Sequence, residues 1–202
     1  MPDQMIDNLR YVIGVLTIVI FCWILVFWFL VHVFTPMWRG VGHRASYSIT
    51  IAIATASGVL AFWYRSQLLG TDLGTNWLLI VLSLAFFAVM AWFERIYWQN
   101  ASLKVLVGLP ELSPDEQANR SVMRDGLYAV IRHPRYFSGA LGLAASVFLA
   151  NYYGLYILAL VIVPIGYLLI RVEERELVAR FGDDYRRYQR EVPRFIPRRW
   201  KT

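Results

Sequence analysis

The feature that most constrains this chain is a run of 34 residues, 137–170, that contains no charged side chain. The run is too long for one helix across a bilayer, which needs about 20 residues, and long enough for two short helices. A turn near its middle is predicted by the segment Asn151-Tyr152-Tyr153-Gly154. The sequence therefore predicts a transmembrane hairpin over 137–170 that returns the chain to the membrane face it left.

The composition is that of a membrane protein rather than of a soluble domain. Hydrophobic residues make up 58% of the chain and charged residues 17%, and the 12 Phe, 12 Tyr and 8 Trp indicate aromatic belts at the two interfaces. Apolar runs predict spans at 11–34, 46–64, 77–93, 137–150 and 155–170. The predicted fold class is an all-α, polytopic integral membrane protein with about five transmembrane helices.

The chain is predicted to form a single membrane domain over 1–202. Its parts are three N-terminal spans over 11–93, a cytoplasmic loop over 94–136, the transmembrane hairpin over 137–170, and a cytoplasmic C-terminal amphipathic tail over 171–202. Within the loop, the capping pattern Ser113-Pro114-Asp115-Glu116 predicts a short helix that runs to about Arg124. The tail is predicted to continue as an amphipathic helix through Tyr188 and to lie along the membrane surface.

The distribution of Lys and Arg predicts the orientation in the membrane. With the C-terminus in the cytoplasm, 18 of the 20 Lys and Arg residues fall on the cytoplasmic side, and only Arg10 and Arg65 fall on the other. The positive-inside rule then predicts a multi-pass protein of the cell membrane with its N-terminus outside. The net charge of +6 reflects this asymmetry rather than nucleic-acid binding, because half of the basic residues follow position 170 beside a membrane helix.

Two polar motifs border the hairpin. The first is Arg132-His133-Pro134-Arg135-Tyr136, and the second is Arg171-Val172-Glu173-Glu174. Each motif alone has an ordinary explanation, since basic residues often mark the end of a span and acidic residues pair along a helix surface. A hairpin would place them side by side at one membrane face. That combination favours a site for chemistry on a membrane-soluble substrate.

Neither a metal site nor a nucleotide-binding loop is expected. The three histidines, His32, His43 and His133, lie in different segments without carboxylates at ligand spacing. The only cysteine, Cys22, excludes a disulfide framework. The segment Gly40-Val41-Gly42 lacks a preceding strand and is interpreted as a turn between spans.

In its C-terminal part the chain resembles the membrane-embedded methyltransferases typified by isoprenylcysteine carboxyl methyltransferase, with phospholipid N-methyltransferases as more distant relatives. The residues that carry the resemblance lie between 126 and 197: Gly126-Leu127-Tyr128, the 132–136 motif, the segments 171–177 and 181–188, and Val192-Pro193-Arg194-Phe195-Ile196-Pro197. One departure is Ser138, which stands where the family often has glycine.

The resemblance implies S-adenosylmethionine-dependent methyl transfer to a lipophilic, membrane-dissolved acceptor, with S-adenosylhomocysteine as the product. The implied cofactor pocket is cytoplasmic and is formed by the 94–136 loop, the last helical hairpin and the C-terminal tail. The implied cofactor-binding residues are Tyr128, Arg132, His133, Pro134, Tyr136, Glu173 and Glu174. The implied catalytic residues are Arg171, which would orient an acceptor carboxylate, together with Glu174 and His133, which would take a proton from an amine or thiol. The implied partners are a lipophilic substrate that enters from the bilayer and membrane lipids, with no nucleic acid and no metal.

Other functions stay open at this point. A nicotinamide-dependent membrane reductase would share the C-terminal architecture, and a non-catalytic membrane protein would tolerate replacement of the whole 132–136 motif. A transporter or channel is disfavoured, because His32 is the only ionisable residue placed inside a span and no pair of broken helices is evident. The acceptor itself is undetermined: an isoprenylated cysteine carboxylate, a phospholipid amine, and a small lipophilic thiol, phenol or quinone all fit.

Overall fold

The computed structural model describes residues 2–41, 43–100 and 122–196. The helices among these residues are α1 (Pro2–Val33), α2 (Thr35–Val41), α3 (His43–Trp63), α4 (Arg65–Leu69), α5 (Trp77–Asn100), α6 (Pro134–Ala150), α7 (Tyr153–Phe181) and α8 (Asp183–Glu191), with a 3-10 helix at Gly126–Ala129. The described part contains no β-strand, only an isolated bridge between Asp72 and Tyr152. The predicted all-α fold class is confirmed.

Four helices of the described part are long and apolar enough to cross a membrane, namely α1, α3, α5 and α7. The remaining predicted span corresponds to α6, which has 17 residues. At 1.5 Å per residue α6 is about 25 Å long, shorter than a hydrocarbon layer of about 30 Å. α6 is therefore the shortest of the five predicted spans, and it runs from the two polar motifs to Asn151 at the opposite end of the helix assembly.

α6 lies at the centre of the helix assembly and packs against α1, α5 and α7. Its buried Leu143 and Val147 join a hydrophobic core with Ile18 of α1 and Leu155 of α7. Two hydrogen bonds attach it to α5: the Ser83 hydroxyl donates to the Ala145 carbonyl (2.7 Å), and the Ser138 hydroxyl donates to the Glu94 carboxylate (2.6 Å). Apolar burial and these two hydrogen bonds together fix the position of α6 relative to α5, and with it the position of the residues that precede α6.

A buried arginine cluster lies at the end of the helix assembly opposite the two polar motifs. Arg10 of α1 is only 1% exposed, and its guanidinium donates to Asp7 (3.0 Å) and to Asp72. Burial acts to raise the pKa of Asp72, but the Gly74 amide and Arg10 outweigh it and hold that pKa below its ordinary value. The Tyr152 ring lies 5.7 Å from the Arg10 guanidinium. This cluster joins α1 to the α4–α5 loop and to the start of α7.

Several predicted boundaries need correction. α5 continues to Asn100, seven residues into the predicted 94–136 loop. Gly40 and Val41, predicted as part of a turn, belong to α2. Most of the predicted 113–124 helix lies outside the described residues, and its last residues, 122–124, are not helical.

The predicted continuous tail helix is also wrong, because Gly182 breaks it. α7 ends at Phe181, Gly182 has a φ of +57°, and α8 begins at Asp183. Positive φ is readily adopted by glycine, which has no Cβ. The break redirects α8, so that Tyr185 and Tyr188 are buried against the rest of the protein.

Gly154 provides a test of how closely α7 packs against α4. A Cβ atom at this position would lie 1.8 Å from the Leu68 carbonyl oxygen, so the two backbones would have to move apart. Gly154→Ala is expected to destabilise the protein by about 1–3 kcal/mol, the usual range for overpacking. Gly166→Ala on the same helix is the matched control, since its Cβ would meet nothing within 4 Å. Equal melting temperatures for the two variants in detergent would contradict the close contact.

Candidate active site

The two polar motifs meet at Glu174. Arg132 and His133 immediately precede α6, whose first residue is Pro134, and α7 carries Glu174 to the same place. The Glu174 side chain is buried, and its Oε1 accepts hydrogen bonds from Arg132 Nη2 (2.9 Å) and His133 Nε2 (3.1 Å). Because an ionised carboxylate only accepts, His133 Nε2 carries the proton. The proximity expected from the hairpin is therefore present at hydrogen-bond distance.

Arg194 completes this cluster and was not predicted as a site residue. Its Nη2 donates to Glu174 Oε2 at 2.6 Å, and this hydrogen bond raises the pKa of the Arg194 guanidinium. The tail reaches Glu174 because its backbone pairs with the first motif: the Arg132 amide donates to the Pro193 carbonyl (2.8 Å), and the His133 amide to the Arg194 carbonyl (3.3 Å). In the sequence, the signal for Arg194 was its position directly after Pro193, a proline at the end of the tail helix.

The Glu174 carboxylate accepts its hydrogen bonds from side chains of the protein itself. Its two oxygens accept from two guanidinium groups and one imidazole. Arg132 also donates to the carbonyls of Gln189 (2.9 Å) and Val192. A buried carboxylate needs such partners, since an unpaired charge in the interior is costly. The cluster joins the start of α6, the last third of α7 and the tail.

Glu173 points in a different direction from Glu174, toward α1, since adjacent helical positions differ in direction by about 100°. Its Oε2 lies 4.0 Å from Nε2 of His32 on α1, and Glu176 Oε2 lies 3.5 Å from His32 Nδ1. Glu173 Oε2 is buried and accepts no hydrogen bond from the residues that the structure describes. His32 was noted in the sequence as an ionisable residue inside a span, but it was not assigned to the site.

Three tyrosines border the site: Tyr185 and Tyr188 are buried, and Tyr128 is half-buried. The Tyr188 hydroxyl donates to the Tyr128 carbonyl at 2.6 Å, which attaches α8 to the 3-10 helix. Burial raises the pKa of Tyr128, Tyr185 and Tyr188 well above the ordinary value, and the Glu173 charge adds to the increase at Tyr128 and Tyr185. These groups therefore stay protonated and act as hydrogen-bond donors. Tyr136, also predicted for the site, packs its ring edge-on against His133 at 5.7 Å.

A cleft of about 240 Å³ opens on the Glu174 face of α7. It is lined by Arg171, Glu174, Arg175, Val178, Gln189 and Arg194. Arg171 precedes Glu173 by two positions, so their side chains leave the helix about 200° apart. The structure thus brings Arg132, His133 and Glu174 together, whereas Arg171 and Glu173 face opposite sides of α7.

The fold and this cluster define a class of protein: an all-α membrane protein whose polar site lies where its central hairpin begins and ends. Over 79 residues, the chain is 38% identical to a protein of Schizosaccharomyces pombe named protein-S-isoprenylcysteine O-methyltransferase. The matched segment makes up 38% of this chain and 33% of that relative, so the chain spans about a third of the length of the curated relative it matches. This similarity supports the resemblance recognised in the motifs. No protein-family model matches the chain, and no solved structure matches it.

Proposed function

We propose that the protein transfers a methyl group from S-adenosylmethionine to a lipophilic acceptor dissolved in the membrane. The observation that carries this proposal is the buried cluster in which Arg132 and His133 donate hydrogen bonds to Glu174. The adjacent carboxylate, Glu173, has a buried oxygen that accepts no hydrogen bond from the described residues. The similarity to a protein named as a methyltransferase of isoprenylated cysteine supports the same chemistry.

The residues present fit this cofactor, which supplies a methyl group activated by a sulfonium sulfur. Its ammonium and ribose hydroxyls are donors, and Glu173 Oε2 is a buried acceptor to which no described residue donates. Tyr128 and Tyr136 would line the pocket. The other residues implied by the resemblance, Arg132, His133, Pro134 and Glu174, would hold its walls, because their polar groups already bind one another or begin α6.

Catalysis in this proposal is mainly positioning, since displacement at a methyl group requires nucleophile, carbon and leaving sulfur in line. A carboxylate acceptor is already ionised at neutral pH and needs no base. Arg171 is the residue proposed to orient such a carboxylate, because guanidinium binds carboxylate in a bidentate geometry. The cleft that it lines lies on the face of α7 away from Glu173, so the KM test described below decides whether the acceptor reaches it. For an amine or thiol acceptor, His133 Nδ1 is the ring nitrogen left to take the proton, since Nε2 is bonded to Glu174.

The site is proposed to face the cytoplasm, with the N-terminus outside. The concentration of basic residues around the two motifs and in the tail supports this orientation. A cytoplasmic site would have direct access to a soluble cofactor, whereas the acceptor would enter from the bilayer.

The function is tested by binding and turnover with the purified full-length protein in lipid nanodiscs. S-Adenosylhomocysteine is expected to bind saturably, and a methyl-labelled cofactor is expected to label a lipophilic product after incubation with membrane extract. Binding of a reduced nicotinamide cofactor without any S-adenosylhomocysteine binding would instead identify a reductase. Binding of neither, with no labelled product, would reject an enzyme of either kind.

The role of Arg171 is tested separately. Arg171→Gln is expected to raise the KM for a prenylated-cysteine carboxylate about tenfold, the effect of losing one charge-assisted hydrogen bond, while S-adenosylhomocysteine affinity is kept. Arg187→Gln on the exposed side of α8 removes an equal charge outside the cleft and is the control. An unchanged KM in the Arg171 variant would remove Arg171 from the acceptor site.

A further inference from the structure

Arg135 lies close to the Glu174 cluster but takes no part in it. It is the second residue of α6, and its side chain extends between two other helices. The guanidinium carbon lies 5.6 Å from the Trp28 ring of α1 and 5.7 Å from the Tyr97 ring of α5. Arg135 is nevertheless exposed. An accessible cation is thus framed by aromatic rings from two different membrane helices.

Among the residues that the structure describes, none accepts a hydrogen bond from this guanidinium. Within the described ranges, no hydrogen bond and no ion pair engages Arg135, in contrast to Arg132 and Arg194. A cation–π contact uses the attraction between the positive charge and the ring face and does not satisfy the N–H groups. Because guanidinium presents its donors in a fixed planar fork, Arg135 is suited to a carboxylate or a phosphate.

The surroundings specify from which side such an anion would come. α6 packs against both α1 and α5, so Arg135 sits at the end of α6 between these two helices. Exposed apolar side chains lie close in sequence to both rings, since Phe29 directly follows Trp28 and Trp92 lies on the same helix as Tyr97. Such surfaces on membrane helices contact lipid. A molecule that reaches Arg135 along them therefore needs an apolar tail as well as an anionic group.

We propose that Arg135, framed by Trp28 and Tyr97, binds the anionic head group of a membrane amphiphile. The head group is a carboxylate or a phosphate, and it belongs either to the methyl acceptor or to an anionic phospholipid. The site does not depend on the methyltransferase proposal, because binding to it requires no cofactor.

The test measures saturable increases in the melting temperature of the full-length protein in non-ionic detergent, without cofactor. The probes are dioctanoyl phosphatidylglycerol, N-acetyl-S-farnesylcysteine and, as a zwitterionic control, dioctanoyl phosphatidylcholine. At least one anionic probe is expected to bind more tightly than the control. Arg135→Gln is expected to weaken that binding roughly tenfold to a hundredfold, the range for a hydrogen bond to a charged group, and Trp28→Leu is expected to weaken it to a smaller extent.

Arg187→Gln, which removes an equal charge from exposed α8, is expected to bind the probes like the wild type. Preference for phosphatidylglycerol would identify a phospholipid site, and preference for the farnesylated carboxylate would identify the head group of the acceptor. Unchanged affinity in Arg135→Gln, or equal losses in the Arg135 and Arg187 variants, would overturn the proposal. A failure of S-adenosylhomocysteine to bind would reject the methyltransferase proposal and leave this result intact.

Discussion

Glu174→Gln is expected to destabilise the protein by about 3–5 kcal/mol, the usual effect of removing one partner from a buried ion pair. The substitution keeps the size of the side chain but removes the negative charge that Arg132, His133 and Arg194 share. The Arg132 side chain is only 7% exposed and cannot turn to solvent without moving the start of α6. The melting temperature in detergent should fall sharply, and proteolysis of the tail should become faster.

The matched control is Glu191→Gln. Glu191 pairs with Arg124 at 3.2 Å, but both side chains are exposed, and such pairs contribute about 0–1 kcal/mol. If Glu174→Gln melted at the same temperature as Glu191→Gln, the cluster would not be the structural centre described above. A double variant with Arg132→Gln should be less destabilised than the sum of the two single variants, because the substitutions affect one network.

The apolar runs predicted the helices well, but they could not predict where the helices end. Hydrophobicity marks the part of a helix that contacts lipid or core, whereas α5 and α7 extend beyond it as polar helices to Asn100 and Phe181. The end of α7 depends on the backbone conformation of Gly182, a glycine that a polar helical pattern does not distinguish from others. Helix ends of this kind are set by local backbone geometry rather than by composition.

The centre of the candidate site was predictable because one simple constraint determines it. A hairpin returns to the face it left, and this places Glu174 beside Arg132 and His133. Arg194 and His32 were not predicted, because their contacts depend on how the tail folds back and on which face α1 presents to α7. These tertiary contacts form between elements that are distant in the sequence, and the hydrophobic periodicity within one segment does not predict them.

Substitutions of the two adjacent glutamates are expected to affect different properties: Glu174→Gln lowers stability, whereas Glu173→Gln lowers ligand affinity. Glu173→Gln should melt close to the wild type, because its Oε2 accepts no hydrogen bond from the described residues and loses none on substitution. S-Adenosylhomocysteine affinity should fall by as much as about a hundredfold, since a hydrogen bond to a charged group contributes up to about 3 kcal/mol. Calorimetric titration of the variant in nanodiscs measures this effect directly.

Glu176→Gln is the control for that comparison, because Glu176 lies on the same face of α7 and its carboxylate is 3.5 Å from His32. Glu176→Gln removes the same charge from the neighbourhood of α1. If Glu173 contacts the ligand directly, the Glu176 variant is expected to keep its affinity for S-adenosylhomocysteine. Equal affinity losses in the two variants would mean that only the summed negative charge of this face matters. A Glu173 variant as unstable as Glu174→Gln would show that both glutamates hold the fold, and Glu173 would then lose its assignment as the ligand-facing acceptor.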